Sequence, residues 1–337
     1  MRYPRNVQND PCSWSKVLVF LAVFVAAAWE LAGATEKGGS VWPVGAESYA
    51  TAAGVPHRGQ TLFYQYNCFY VANELVDAKG HDSGVPDFKV RVVATAGKLS
   101  HNWGVKLLGG ELGSWIALPS VYEQLGVAGT TYSKDDFSNI DITPITLFNH
   151  KGIVHWYYDL QVKTLGSGYQ NGAALNVEQH NLAFKPAAAI TLTPHGGAQN
   201  IMSRFDYVIN DADHATHYRS GNEFFWQFGA QQEIPRHKSN VGLACYFYRQ
   251  MTDDAQLGAP VVTTNADGTT SLGYKGRTLD LWPQVTVPWG KHGAIVMKWD
   301  HDMLVQNRAR GNGFWFQFGV PFSYLHHSPR CVSGIDS

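Results

Sequence analysis

Phe88-Lys89-Val90-Arg91-Val92-Val93-Ala94-Thr95 is the stretch on which the fold class turns. Phe88, Val90, Val92 and Ala94 alternate with Lys89, Arg91 and Thr95. Successive side chains of a β-strand point to opposite faces, so the stretch predicts a strand with one apolar and one polar side. Other stretches repeat the pattern. Val154, Trp156, Tyr158, Leu160 and Val162 oppose His155, Tyr157, Asp159 and Gln161; Phe205, Tyr207 and Ile209 oppose Arg204, Asp206 and Asn210. Leu279, Leu281, Pro283 and Val285 oppose Asp280, Trp282 and Gln284, and Phe314, Phe316 and Phe318 oppose Trp315, Gln317 and Gly319.

Working outward, twelve such segments lie near residues 60–72, 87–98, 102–118, 139–149, 153–164, 181–193, 199–211, 221–232, 239–250, 277–287, 291–303 and 312–324. Their connections alternate in length. The short ones are Leu99-Ser100-His101, Lys151-Gly152, Pro194-His195-Gly196-Gly197, Pro235-Arg236-His237-Lys238 and Trp289-Gly290; a medium link with Arg308 and Arg310 joins the last two segments. Such parity puts the tight turns of an antiparallel meander at one end and the long loops at the other, as in outer-membrane proteins. Closure pairs every backbone group that would otherwise face hydrocarbon. The expected fold is therefore all-β: a transmembrane antiparallel up-and-down β-barrel of about 12 strands, with short periplasmic turns and long external loops.

Composition agrees. Twenty-six basic and 27 acidic residues give a formal charge of -1, which offers nucleic acid no bulk attraction. Charged residues make up only 16% of the 337, while Trp, Tyr and Phe number 11, 16 and 17. Barrels collect aromatic girdles at both membrane interfaces, which is where Tyr64, Tyr66, Trp103, Trp115, Trp156, Trp226, Trp282, Trp289, Trp299 and Trp315 are expected. Cys12, Cys68, Cys245 and Cys331 make no disulfide framework, and Cys245 alternates with Leu243 and Phe247 as a small hydrophobe.

At the N-terminus, Arg2, Arg5 and Lys16 precede the apolar run 17–29 and Ala32-Gly33-Ala34. That order reads as a secretory signal over residues 1–34, its apolar run being short of the roughly 20 residues a membrane helix needs. Residues 35–59, rich in Gly and Ala, are expected to be a periplasmic leader or a plug entering the barrel mouth, with Trp42 and Pro43 as its rigid part. The barrel would occupy 60–324 and a C-terminal tail 325–337.

The polar faces nominate a lumen lining of Lys89, Arg91, Asp159, Gln161, Arg204, Asp206, Glu223, Gln227, Asp280, Lys298 and Asp300. Charges of both signs argue against strong ion selectivity and allow salt bridges across the passage. Two other readings exist. Asp211, Asp213, His214, His217, Ser220 and Glu223 bring a base, a hydroxyl and carboxylates onto one external hairpin, and a secreted β-sandwich would bind glycans through its Trp and Tyr. No HExxH, cysteine pair or GxSxG occurs, so no metal, cofactor or nucleophile elbow is expected.

Residues 34–47, Ala-Thr-Glu-Lys-Gly-Gly-Ser-Val-Trp-Pro-Val-Gly-Ala-Glu, resemble the mature start of the family named for the meta-pathway of phenol degradation. Leu107-Leu108-Gly109-Gly110, Asn139-Ile140-Asp141-Ile142-Thr143-Pro144, Tyr218-Arg219-Ser220-Gly221-Asn222-Glu223-Phe224, Arg249-Gln250-Met251-Thr252-Asp253-Asp254 and Lys298-Trp299-Asp300-His301 extend the resemblance to about residue 322. It implies an outer-membrane barrel, similar to channels for fatty acids or aromatic hydrocarbons, whose partners are outer-membrane lipid, a small-molecule solute and the barrel-insertion machinery. It carries no catalytic residues. Gln317 to Tyr324 has the aromatic spacing that the insertion machinery reads at a barrel terminus, yet residues 325–337 follow it.

Overall fold

A computed structural model describes residues 45–47, 52–290 and 293–322. Residues 1–34, where a signal sequence is expected, Trp42, Pro43 and the expected tail 325–337 lie outside the described residues.

Twelve strands form the barrel: β1 (Thr61–Val76), β2 (Lys89–Leu107), β3 (Gly110–Val127), β4 (Asp141–Lys151), β5 (Val154–Lys163), β6 (Ala183–Leu192), β7 (Gln199–Asn210), β8 (Glu223–Ile234), β9 (Ser239–Gln250), β10 (Arg277–Trp289), β11 (Gly293–Gln306) and β12 (Arg308–Phe322). Each pairs antiparallel with its neighbours in sequence, and β12 returns to β1 over a register running from Thr61↔Phe322 to Val76↔Arg308. One sheet therefore closes on itself. A soluble sandwich of two packed sheets is not what this chain forms.

The wall has an apolar outside. Phe69 is 49% exposed and pairs with Val93 at 44%, and Phe205, Leu243, Leu281 and Phe314 also face outward. Water would penalise such a surface, whereas lipid does not. Near the periplasmic rim Phe63, Phe318 and Phe322 cluster with Trp289, a girdle of the expected kind. Trp299 also lies on the outside, but Tyr66, Trp115, Trp282 and Trp315 are buried among inner side chains and do not belong to a girdle. The two described thiols divide in the same way: Cys68 packs against the inner cluster, and Cys245 lies on the outer side of β9 between Leu243 and Phe247.

Two turns differ from the sequence reading. Leu99-Ser100-His101 is mid-strand in β2, paired with Ile116, Trp115 and Ser114, and the chain turns instead at Leu108-Gly109. Both turn residues have positive φ, 49° and 87°, the conformation of the hairpin turn that matches strand twist. Leucine is a poor signal for it. At the other end β11 and β12 continue to a single linking residue, Asn307, so Arg308 and Arg310 belong to β12 and not to a loop. The link after β3 is also structured, since Thr130–Phe137 pairs back onto Ser120–Val127 and extends the wall beyond the rim.

Two external loops clasp one another over Asn307. Asp77 accepts backbone N–H bonds from Lys79, His81 and Ala266, Lys79 pairs with Asp267 at 2.6 Å, and the Asn307 N–H donates to the Asp77 carbonyl. Burial opposes ionisation of Asp77, but those N–H bonds, with His81 nearby, outweigh it and hold its pKa below the usual carboxylate value.

Candidate functional site: the barrel lumen

The inner face is lined largely by polar side chains, and the chain itself enters it. Residues 52–59 run along the periplasmic half of the inner wall. Ala52 packs beside Phe148, Tyr157 and Ala189, the Gly54 carbonyl accepts from the Tyr64 hydroxyl, and the Pro56 carbonyl accepts from Asn102 Nδ2 at 3.0 Å. Farther in, Gly45, Ala46 and Glu47 are surrounded by strands from all sides of the barrel. Lys298 Nζ donates to the carbonyls of Gly45 at 2.6 Å and Ala46 at 3.2 Å, and Gln317 Nε2 donates to Ala46 at 3.0 Å. Gly45 has φ +75° and lies against the Trp282 ring, where a Cβ would come within 3.0 Å of Cη2. Only glycine meets both demands without strain.

Glu47 is the centre of this strap. Its backbone N–H donates to Gln227 Oε1 at 3.2 Å, and its carboxylate is held by two cations and two phenols. Lys98 Nζ lies 2.6 Å from Oε1 and the Arg204 guanidinium 2.5 Å from Oε2, with the hydroxyls of Tyr66 and Tyr157 each at 3.4 Å. Arg204 is occupied on its other side by Asp206, which takes two bonds at 2.9 and 2.7 Å, and it also donates to the Tyr157 hydroxyl. Asp159 stands 3.9 Å from Arg204 and accepts from Thr146 at 2.6 Å and Gln161 at 3.0 Å. Lys98 also lies 4.1 Å from the centre of the Trp115 ring, a favourable place for a cation. Charges this deeply buried persist only when paired and hydrogen-bonded, and these are.

Nine of the eleven nominated residues are buried on the inner face: Asp159, Gln161, Arg204, Asp206, Glu223, Gln227, Asp280, Lys298 and Asp300. They form more than one group. Arg204, Asp206, Asp159 and Gln227 meet around Glu47. Lys298 binds the strap's carbonyls, while Asp300 accepts from Trp315 Nε1 at 3.1 Å. Glu223 accepts from Asn210 nearer the external end, and Asp280 is the cross-strand partner of Asp302. Lys89 and Arg91 differ from expectation: they are exposed on the outside, because β2 turns Lys98, Ser100 and Asn102 inward and thereby sends the odd-numbered positions outward. Several inner polar atoms, including Gln227 Nε2, Gln317 Oε1 and Trp282 Nε1, have no hydrogen-bond partner among the described residues.

Sequence reasoning missed Glu47 and Lys98. Glu47 was visible only as the last residue of the motif that starts the family resemblance, and Lys98 was hidden at the end of a segment beside a misplaced turn. The external constellation does not converge. His214 and His217 are exposed, Asp213 caps its own loop by accepting from Thr216 Oγ1 at 2.6 Å and from Ala215, and Glu223 lies inside the barrel.

The fold is similar to the crystal structure of an outer membrane channel from Pseudomonas putida F1, with TM-score 0.66 and 13% identity over 84% of this chain and 100% of that one. Lower similarity is found to the transport unit of the autotransporter AIDA-I from Escherichia coli, at TM-score 0.47 and 9% identity over 84% of this chain and 100% of that one. A deletion mutant of the monoaromatic hydrocarbon channel TodX gives TM-score 0.44 and 8% identity over 87% and 97%. No curated protein matches by sequence. A family model described as MetA-pathway of phenol degradation matches residues 72–318, which is most of the chain, and the protein belongs to that family.

Proposed function

We propose that this protein is a passive channel of the outer membrane that admits small aromatic or hydrophobic compounds, and that the segment before β1 is its gate. The observation that carries the reading is the pairing of a lipid-compatible exterior with a polar interior into which Gly45–Glu47 are bound. The family description and the channel from Pseudomonas putida are in keeping with this role. Solute would pass along the inner face with no chemistry, so the site needs a shape, a dielectric and a removable obstruction, and no catalytic group.

The test is electrical and chemical together. The full-length processed protein, recovered in the outer-membrane fraction, is placed in planar bilayers and in vesicles loaded to report uptake of phenol, toluene and a fatty acid. Deleting residues 35–55 is expected to raise conductance and uptake above the intact protein. No current and no uptake from either form would remove the channel reading; equal values in both would remove the gate.

A further inference from the structure

We infer that the position filled by the Glu47 side chain is a carboxylate-binding site of the barrel wall, and that a small aromatic carboxylate opens the strap by taking Glu47's place. The inference rests on the channel reading and narrows its solute.

The groups that hold Glu47 all belong to the wall. Tyr66 is on β1, Lys98 on β2, Tyr157 on β5 and Arg204 on β7, and they divide the two carboxylate oxygens evenly, one cation and one phenol to each. Such a receptor fits a planar anion with two equivalent oxygens, and it stays in place when the strap leaves. Its charges also require a guest. Arg204 keeps Asp206 at 2.7 Å without Glu47, but among the described residues Glu47 supplies the carboxylate within ion-pair distance of Lys98. With Glu47 withdrawn, Lys98 would remain a buried cation with no matching anion, a costly state that an incoming carboxylate relieves.

The space beside the carboxylate names the rest of the guest. A recess opens next to Glu47 and Lys98, walled on the barrel side by Tyr64, Tyr66, Trp115, Phe148, Tyr157 and Asp159 and on the strap side by Gly54, Val55 and Pro56, so that it widens when the strap leaves. Aromatic rings pack against such walls edge to face or offset-stacked. A guest with one flat ring attached directly to a carboxylate reaches the cations and the rings at once. A neutral arene fills the recess but cannot replace the charge, and acetate replaces the charge but leaves the recess unfilled. The Glu47 side chain, which is carboxylate without ring, is thus a weak internal stand-in that an aromatic acid can displace.

Benzoate is the probe, with benzyl alcohol and acetate as controls, and binding to the detergent-solubilised full-length protein is measured by calorimetry alongside bilayer conductance. Benzoate is expected to bind and to raise conductance, and the controls to do neither. Glu47→Gln should bind benzoate about tenfold more tightly, because the internal competitor is weakened. Lys98→Met should bind it at least about tenfold more weakly, as loss of one charge-assisted bond implies. Retained heat-modifiable gel mobility identifies variants that still form barrels, and Lys98→Gln, a smaller change, replaces Lys98→Met if that variant does not. Benzoate binding that is equal in wild type and the Lys98 variant, or matched by benzyl alcohol, overturns the inference. A protein that carries no current in any form refutes the channel reading instead, while the binding comparison still decides whether the carboxylate site exists.

Discussion

Arg204 and Phe205 are consecutive residues of β7 and live in opposite solvents. Arg204 is fully buried and bound to Glu47, Asp206 and Tyr157, whereas Phe205 is 45% exposed on the outer wall, stacked with Trp226. A strand in a soluble protein would turn the phenylalanine inward and the arginine out. The inversion teaches that burial here measures crowding of the lumen by charge, and exposure measures contact with lipid.

The strongest way to break this contrast is to remove the inner partner. Arg204→Met leaves Glu47 and Asp206 short of their cation, which is expected to cost about 3–5 kcal/mol, read as a lower midpoint in urea-induced unfolding of the barrel in lipid vesicles. Next comes the neighbour. Phe205→Arg puts a charge into hydrocarbon near mid-strand and should cost about 2–4 kcal/mol in the same assay, whereas the same substitution in a water-filled surrounding would be nearly silent. A similar loss from both faces, for opposite reasons, is the outcome that supports the inversion; an unaffected Phe205→Arg would mean that the outer wall is not in lipid.

Gly45→Ala sharpens the inner half of the contrast. A Cβ there meets Trp282 and forces a left-handed backbone on alanine, a penalty of about 1–2 kcal/mol that falls on the strap and leaves the wall intact. Bilayer conductance should rise with no change in unfolding midpoint. The smallest effect is expected outside the membrane. Because the Asp77 carboxyl is held below its unfolded value of about 3.9, its stabilisation of the loop clasp is complete above that pH and is lost as the pH falls through the lower folded value. Hydrogen exchange of the loop amides, corrected for its intrinsic pH dependence, should lose protection as the pH falls below about 4, and Asp77→Asn should show that loss already at higher pH.

Strands β7 and β8 were legible because their alternation is clean and their inner residues are ionic. Strand β2 gave the right class and the wrong face. Val90, Val92 and Ala94 look like a lipid-facing row, but they line the upper lumen, and Lys89 and Arg91 end up outside near the external end of the strand. Alternation gives the period of a strand; which phase points inward is set by partners on other strands. The same limit hid the strap. Glu47 is fixed by Lys98 and Arg204, which are 51 and 157 residues away, and no local pattern encodes that meeting. Turn chemistry hid Leu108-Gly109, since its positive φ falls partly on a residue that rarely advertises it.

The division of the two cysteines gives the molecule a pair of native reporters. With Cys12 and Cys331 replaced by serine, Cys68 is expected to answer to reagents that enter the lumen from water and Cys245 to reagents dissolved in the bilayer. A charged maleimide should label only the first, and only as fast as the passage admits it. Labelling rate then becomes a clock for how often the interior is open, read in intact cells and without any electrode.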